Sequence, residues 1–276
     1  MSAAHDHDPV NAISEAEATS RKAEIFAEIR EVMQIPLVTS IWRKLDAIDG
    51  GLEAAWAATK PIYLSGQPDD ILKQLRADIN LPIPKTLTTD EVRTAGIEER
   101  DIQPISTILA AYNRSNSLNL IALTALARKG STQQLEPVQR PKVQWPTLPP
   151  LLSQAEINQE NWSLLERTIP IGVRNPTTAL PTLWRHIIHW PGFIELMLEH
   201  YQSLHQSGEL FDMVKRVTAF VEQLAPGMSH FRDTSADVSE AAIQMIEAYV
   251  GEPQSVCRMS SVGSSVEKWL RASCQT

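Results

Sequence analysis

Positive charge is in short supply in this chain. Lys and Arg number 25 against 33 Asp and Glu, a formal net charge of -8. Nucleic-acid binding needs clustered cations to neutralise phosphates, so that class is excluded. An acidic surface is likewise not drawn to anionic lipid. No apolar run approaches the ~18 residues that would cross a bilayer. Cysteine is scarce. The only two, Cys257 and Cys274, stand in neither CxxC nor zinc spacing and read as free thiols of a reducing compartment. The stretch Met1–Ala18 is acidic and polar, the wrong chemistry for a signal or transit peptide. HExxH, GxSxG and a glycine-rich phosphate loop are all missing. The expectation is a cytoplasmic protein with no nucleic-acid or membrane partner and no cofactor. Whether it forms a homodimer stays open.

Strand alternation is almost as rare, and helical periodicity is everywhere. Ser14 and Glu17 read as a capping box opening a helix whose stripe is Ile25, Phe26, Ile29, Val32 and Met33. Leu37, Ile41, Leu45 and Ile48 form a second stripe, stopped by Asp49-Gly50-Gly51. Leu52–Tyr63 and Ile71–Ile79 continue the pattern. Pro104 suits a first helical turn before Ile105–Tyr112. Leu118–Ala127, apolar on nearly every side, reads as a separate buried helix. Leu183–His189, Phe193–Leu204, Met213–Leu224 and Val238–Val250 follow. The five prolines from Pro137 to Pro150 forbid helix and central strand, and predict an extended linker across the surface.

The chain also contains itself twice. Ile41-Trp42-Arg43 matches Leu183-Trp184-Arg185, Gly50 matches Gly192, Glu53 matches Glu195, Ser65-Gly66 matches Ser207-Gly208, and Asp70, Lys73 and Ala77 match Asp212, Lys215 and Ala219. Every pair is 142 residues apart (Trp42 to Trp184). Ile35-Pro36 recurs as Ile169-Pro170, only 134 residues on, so the second copy holds eight more residues near Gly172–Leu180. Solenoid periods run roughly 20 to 50 residues, so this unit is domain-sized. The fold expected is all-α: a tail over 1–19, a first helical repeat over 20–130, a Pro-rich linker over 131–155 and a second repeat over 156–276. The repeats would pack as an internal pseudo-dimer of two six-helix halves, with room for one site at the seam.

Few residues carry chemistry. Asn113 and Asn116, three apart after Tyr112, offer two amides to a carboxylate or a water, although Asn116 or Ser117 would equally serve as a helix cap. The second copy has Ala248-Tyr249-Val250-Gly251 there, without either amide. His186 and His189 share a helical stripe at a spacing that suits metal or haem, or they simply pack among tryptophans. Glu53 and Glu195 sit near helix starts, where the backbone dipole stabilises a carboxylate. At the seam they would instead be paired acids with split pKa values. Ser65 and Asp69 present a hydroxyl and an acid to a small polar ligand, or are turn and cap residues.

Three stretches, Ile35–Trp56, Glu91–Ile97 and Ala110–Leu126, resemble the group I 2-haloacid dehalogenases, and the likeness resumes at His189-Trp190-Pro191. That resemblance covers most of the chain from about Ser20 to Leu270. It implies an all-α fold of two repeats and hydrolysis of D- and L-2-haloalkanoic acids, with inversion and without an ester intermediate or metal. An aspartate at the repeat interface would activate a water, helped by an asparagine. Carried over, the asparagine maps to Asn116, with Asn113 retained and Tyr112 beside it. A hydroxyl and acid pair falls on Ser65 and Asp69.

The aspartate itself is absent: its place is Leu183, and 175–185 contains no Asp or Glu. Water needs a proton acceptor, typically worth ~10² to 10⁴ in rate. Glu195 is the nearest acid in sequence and so the substitute expected. Three readings stay open: a dehalogenase-like hydrolase of small 2-substituted carboxylic acids using Asn116 and Glu195, a non-catalytic relative binding such a ligand, and a metal or haem protein using His186 and His189.

Overall fold

A computed structural model describes residues 15, 18–174, 180–251 and 256–274. Most of the expected tail, Ser14 and Glu17 of the expected capping box, part of the extra segment of the second copy (175–179), and Glu252 and Pro253 lie outside these residues. The described residues form twelve α-helices and no strand. Six precede the proline-rich stretch: α1 (Ser20–Met33), α2 (Ser40–Leu45), α3 (Gly51–Leu64), α4 (Gln67–Asp78), α5 (Thr89–Thr94) and α6 (Glu99–Ala127). Six follow it: α7 (Gln159–Glu166), α8 (Thr182–Ile187), α9 (Pro191–Ser207), α10 (Glu209–Leu224), α11 (Glu240–Val250) and α12 (Val256–Ser273). No described helix is long and apolar enough to cross a membrane.

The amphipathic stripes became buried faces. Ile25, Phe26, Ile29, Val32 and Met33 are the buried residues of α1. Trp42 on α2 and Trp184 on α8 are both fully buried, each the kind of anchor whose truncation costs about 3–5 kcal/mol. Helix boundaries recur at the sequence offset: Ser40–Leu45 answers Thr182–Ile187, and α4 and α10 begin at Gln67 and Glu209.

Two readings need correcting. The helix of the second stripe ends at Leu45, and Gly50-Gly51, expected to stop it, instead open α3. The segments Ile105–Tyr112 and Leu118–Ala127 are not two helices but parts of the 29-residue α6. Asn116 and Ser117 therefore sit mid-helix and cap nothing. The polar run continues the helix because neighbouring elements take up several of its side chains, so these need not turn back on the local backbone. Asn119 is the clearest case. Its Oδ1 accepts from Trp42 Nε1 at 3.1 Å and Tyr63 Oη at 2.8 Å, and its Nδ2 donates to Thr39 Oγ1 at 2.6 Å. Pro104 falls in the second turn of α6, where the hydrogen bond it forgoes is that of an exposed carbonyl, Arg100.

Buried from Ile105 to Leu126 at nearly every position, α6 is the central helix, and α12 packs along it. Two apolar cores flank it. The first joins α1–α4 and the C-terminal half of α6 to α10 and α11, and the second joins the N-terminal half of α6 to α7–α9 and α12. Both draw on each side of the linker.

The linker is extended, as its prolines require, and is bound through its backbone. Val138 N donates to Ser65 O at 2.8 Å, Gln34 Nε2 to Pro141 O at 2.7 Å, Val143 N to Gln34 Oε1 at 2.7 Å and Trp145 Nε1 to Gln34 O at 2.9 Å. Gly66, at φ +77°, leaves room for it, since a β-carbon there would overlap Val138 O.

Candidate active site

The middle of α6 meets α8 and α12 at a polar seam inside an otherwise apolar interior. Residues three and four apart share a helix face, so Asn113, Asn116 and Ser117 point the same way. Asn113 Nδ2 donates to Glu267 Oε2 on α12 at 2.7 Å. A carboxylate only accepts, which fixes which way round the amide sits. Glu267 also pairs with Arg271 one turn further along α12. Ser117 and Ser260 hydroxyls meet at 2.6 Å and close the seam one turn away.

Gly263, one turn before Glu267, lets the two helices approach. A β-carbon there would overlap Asn113 Oδ1 and stand 3.2 Å from Leu183 Cδ2. Leu183, buried at the first turn of α8, is thus adjacent to Asn113. Asn113 Oδ1 is buried without a hydrogen-bond partner among the described residues, an arrangement that normally costs about 1–3 kcal/mol. Asn116 is 7% exposed, and its amide makes no side-chain hydrogen bond among the described residues. The seam therefore holds a carboxylate, a buried unpartnered carbonyl acceptor and a second amide, walled by leucine.

Tyr112 flanks the seam. Its hydroxyl lies 3.3 Å from His186 Nδ1, while His186 Nε2 meets Pro149 O at 2.7 Å. The carbonyl can only accept, so Nε2 carries the proton and Tyr112 donates to the bare Nδ1. Burial, foremost, pulls the His186 pKa below the ordinary 6.5, the Pro149 carbonyl works against it, and His189 and Arg185 add repulsion. His189 Nε2 meets Pro150 O at 2.8 Å. Both histidines thus spend an Nε2 on linker carbonyls, atoms a metal or haem iron would compete for. No cluster of three or more His, Cys, Asp or Glu poised for a metal occurs among the described residues.

The remaining candidates stand elsewhere. Ser65 Oγ donates to Ile62 O at 2.6 Å and accepts from Gln67 N at 3.2 Å. Asp69 Oδ1 lies 2.7 Å from Arg114 Nη2, an ion pair by distance but off the hydrogen-bond axis. Arg114 also donates to Met33 O and Gln34 O, and Arg140 of the linker donates to Val32 O. Ser65 and Asp69 thus belong to the anchorage of the linker. Glu195 is exposed on α9, in a groove of about 430 Å³ with Arg167, Glu199 and His205, and no residue of α3 or α6 lines it.

Glu267 is the residue the sequence reading missed. Gly263 and Ser260, small residues one and two turns earlier on the same face, mark a helix face that another backbone approaches closely, but nothing local names its partner.

No family model matches the chain. Two curated proteins do. It is 24% identical over 105 residues to an (R)-2-haloacid dehalogenase of Pseudomonas putida, a match spanning 36% of this chain and 35% of that protein. It is 21% identical over 221 residues to a configuration-inverting 2-haloacid dehalogenase of Alcaligenes xylosoxydans xylosoxydans, spanning 74% of this chain and 72% of that one. Among solved structures, a complex of D-2-haloacid dehalogenase with L-LA superposes with a TM-score of 0.69 at 16% identity, covering 95% of both chains. A mutant of such an enzyme with D-2-CPA gives 0.65 at 17%, again over 95% of each. The molecule is an all-α protein of the 2-haloacid dehalogenase fold. By sequence it is a divergent relative of those dehalogenases.

Proposed function

We propose that this chain hydrolyses small 2-substituted carboxylic acids, 2-haloacids above all, by direct attack of water on the substituted carbon at the α6–α8–α12 seam. The observation that carries the reading is the pair of amides, Asn113 with an unpartnered buried Oδ1 and Asn116 uncommitted beside it, in a chain whose relatives are named for this reaction. The water oxygen bonds to C2 as the carbon–halogen bond breaks on the opposite side. The halide leaves with the bonding pair, the configuration inverts, and the water's proton passes to a base. Asn116 orients the water, and Asn113 and Tyr112 line the ligand's other side. The reaction is redox-neutral and hydrolytic, so no electron carrier takes part. In this reading, residues 20–130 and 156–276 are duplicated halves whose pseudo-two-fold contact builds the site.

Halide release from D- and L-2-chloropropionate and 2-bromopropionate tests the proposal. Wild type is expected to release halide and form the inverted hydroxy acid, and Asn116→Ala to lose roughly 10²-fold in kcat, the usual worth of one preorganised polar contact. Leu183, apolar where the family resemblance places the base, favours a second reading, a binder that does not hydrolyse. Calorimetric binding of 2-chloropropionate that Asn116→Ala weakens, with no halide from wild type, would select it.

A further inference from the structure

We infer that Glu267 is the proton acceptor for the attacking water. The inference rests on the hydrolytic reading above and adds the residue which that chemistry requires. Displacement by water leaves an excess proton on the new hydroxyl, and a base must take it as the oxygen–carbon bond forms. Leu183 cannot. Among the described residues, Glu267 is the acid buried as a whole residue, and its partner Asn113 ties it to the two-amide face of α6.

Its competitors are otherwise placed. Asp69 faces Arg114 beneath the linker, and Glu195 stands exposed in a groove without α6 residues. Glu267 keeps capacity to spare. A carboxylate offers about four lone-pair positions, and the structure commits one oxygen to Asn113 and the other to Arg271. Asn113 organises the rest. With Nδ2 given to Glu267, its buried, unpartnered Oδ1 is the acceptor a water would use, next to the carboxylate that takes the second hydrogen. In the step, water oxygen bonds to C2, halide departs with its electron pair, and the proton moves to Glu267. Glu267 then releases the proton to solvent, while Arg271, whose side chain is 62% exposed, holds the carboxylate as its ion-pair partner.

The experiment compares wild type, Glu267→Gln and Glu267→Asp for halide release and thermal melting, and adds Leu183→Asp to the Gln variant. Glutamine can still accept from Asn113 but cannot take the proton. The expected result is a ~10²- to 10⁴-fold lower kcat in Glu267→Gln with its melting transition kept. A smaller loss is expected in Glu267→Asp, and partial rescue when Leu183→Asp restores an acid beside Asn113. Wild-type kcat in Glu267→Gln overturns the inference while leaving the hydrolytic reading intact. Equal losses in Gln and Asp together with a lost melting transition assign Glu267 a structural role and also overturn it. A wild type that releases no halide overturns the hydrolytic reading, and this inference with it. A single turnover in heavy-oxygen water gives a further check independent of variants. Label in the hydroxy acid agrees with a base, whereas unlabelled product means a carboxylate attacked carbon itself, which overturns the inference.

Discussion

Gly263 on α12 lies flat against Asn113 on α6, with no space for a β-carbon between them. Asn113 can hold Glu267 and face Leu183 together only because that position carries a hydrogen. Gly263→Ala must turn the Asn113 amide away from Glu267. We expect a loss of about 1–3 kcal/mol from overpacking, measured by denaturant unfolding. Halide release is expected to fall further than that loss explains. Unchanged stability and activity would mean the helices separate freely there.

Asp69 and Arg114 are both only 8% exposed at their side chains. Asp69→Leu leaves a buried guanidinium without its anion, which should cost about 3–5 kcal/mol. The double variant Asp69→Leu/Arg114→Met should recover part of that, not all, because Met33 O loses its donor. Additive losses in the two single variants would show that the pair is not coupled.

His186 makes stability depend on pH. The folded chain holds its pKa below 6.5, chiefly through burial, while the unfolded chain protonates it near that value. The unfolded state therefore binds more protons as pH falls, and stability is lost below about 6.5. Urea unfolding of wild type from neutral pH down to about 5 should show this slope. His186→Gln, which can still donate to Pro149 O, should flatten it. An equal slope in both would assign the effect to other groups.

Gln34 secures the linker through three groups: its carbonyl, its amide oxygen and its amide nitrogen. Gln34→Ala keeps only the first. Limited proteolysis within 131–155 is expected to quicken, with a global cost of about 1 kcal/mol because these bonds lie near the surface. Cleavage at the wild-type rate would mean that the remaining contacts hold the strap unaided.

Most helix positions and buried faces were legible because a 3.6-residue apolar period needs no tertiary information, but α5, α7 and α12 were not read. Gly50-Gly51, read as a helix stop, opens α3 instead, whereas the stripe of α1 and the path of the prolines were readable. The continuity of α6 was not. Asn113–Asn119 has the composition of a helix end, and only partners distant in sequence, Glu267, Met33, Ser260 and Trp42, make it helix interior. Glu267 was hidden for the same reason. It lies 154 residues from Asn113, and no local spacing joins them. The hydroxyl and acid at Ser65 and Asp69 were visible as chemistry, but their use in holding the linker depends on Val138 and Arg114.

Because each apolar core takes residues from both sides of the linker, neither half can drift alone. A substitution that enlarges a side chain on α1 or α3 presses on α10 and α11, and one on α8 or α9 presses on the N-terminal half of α6. Change on one side of the linker must therefore be answered by an accommodation on the other. Compensating pairs should join the halves more often than they fall within either.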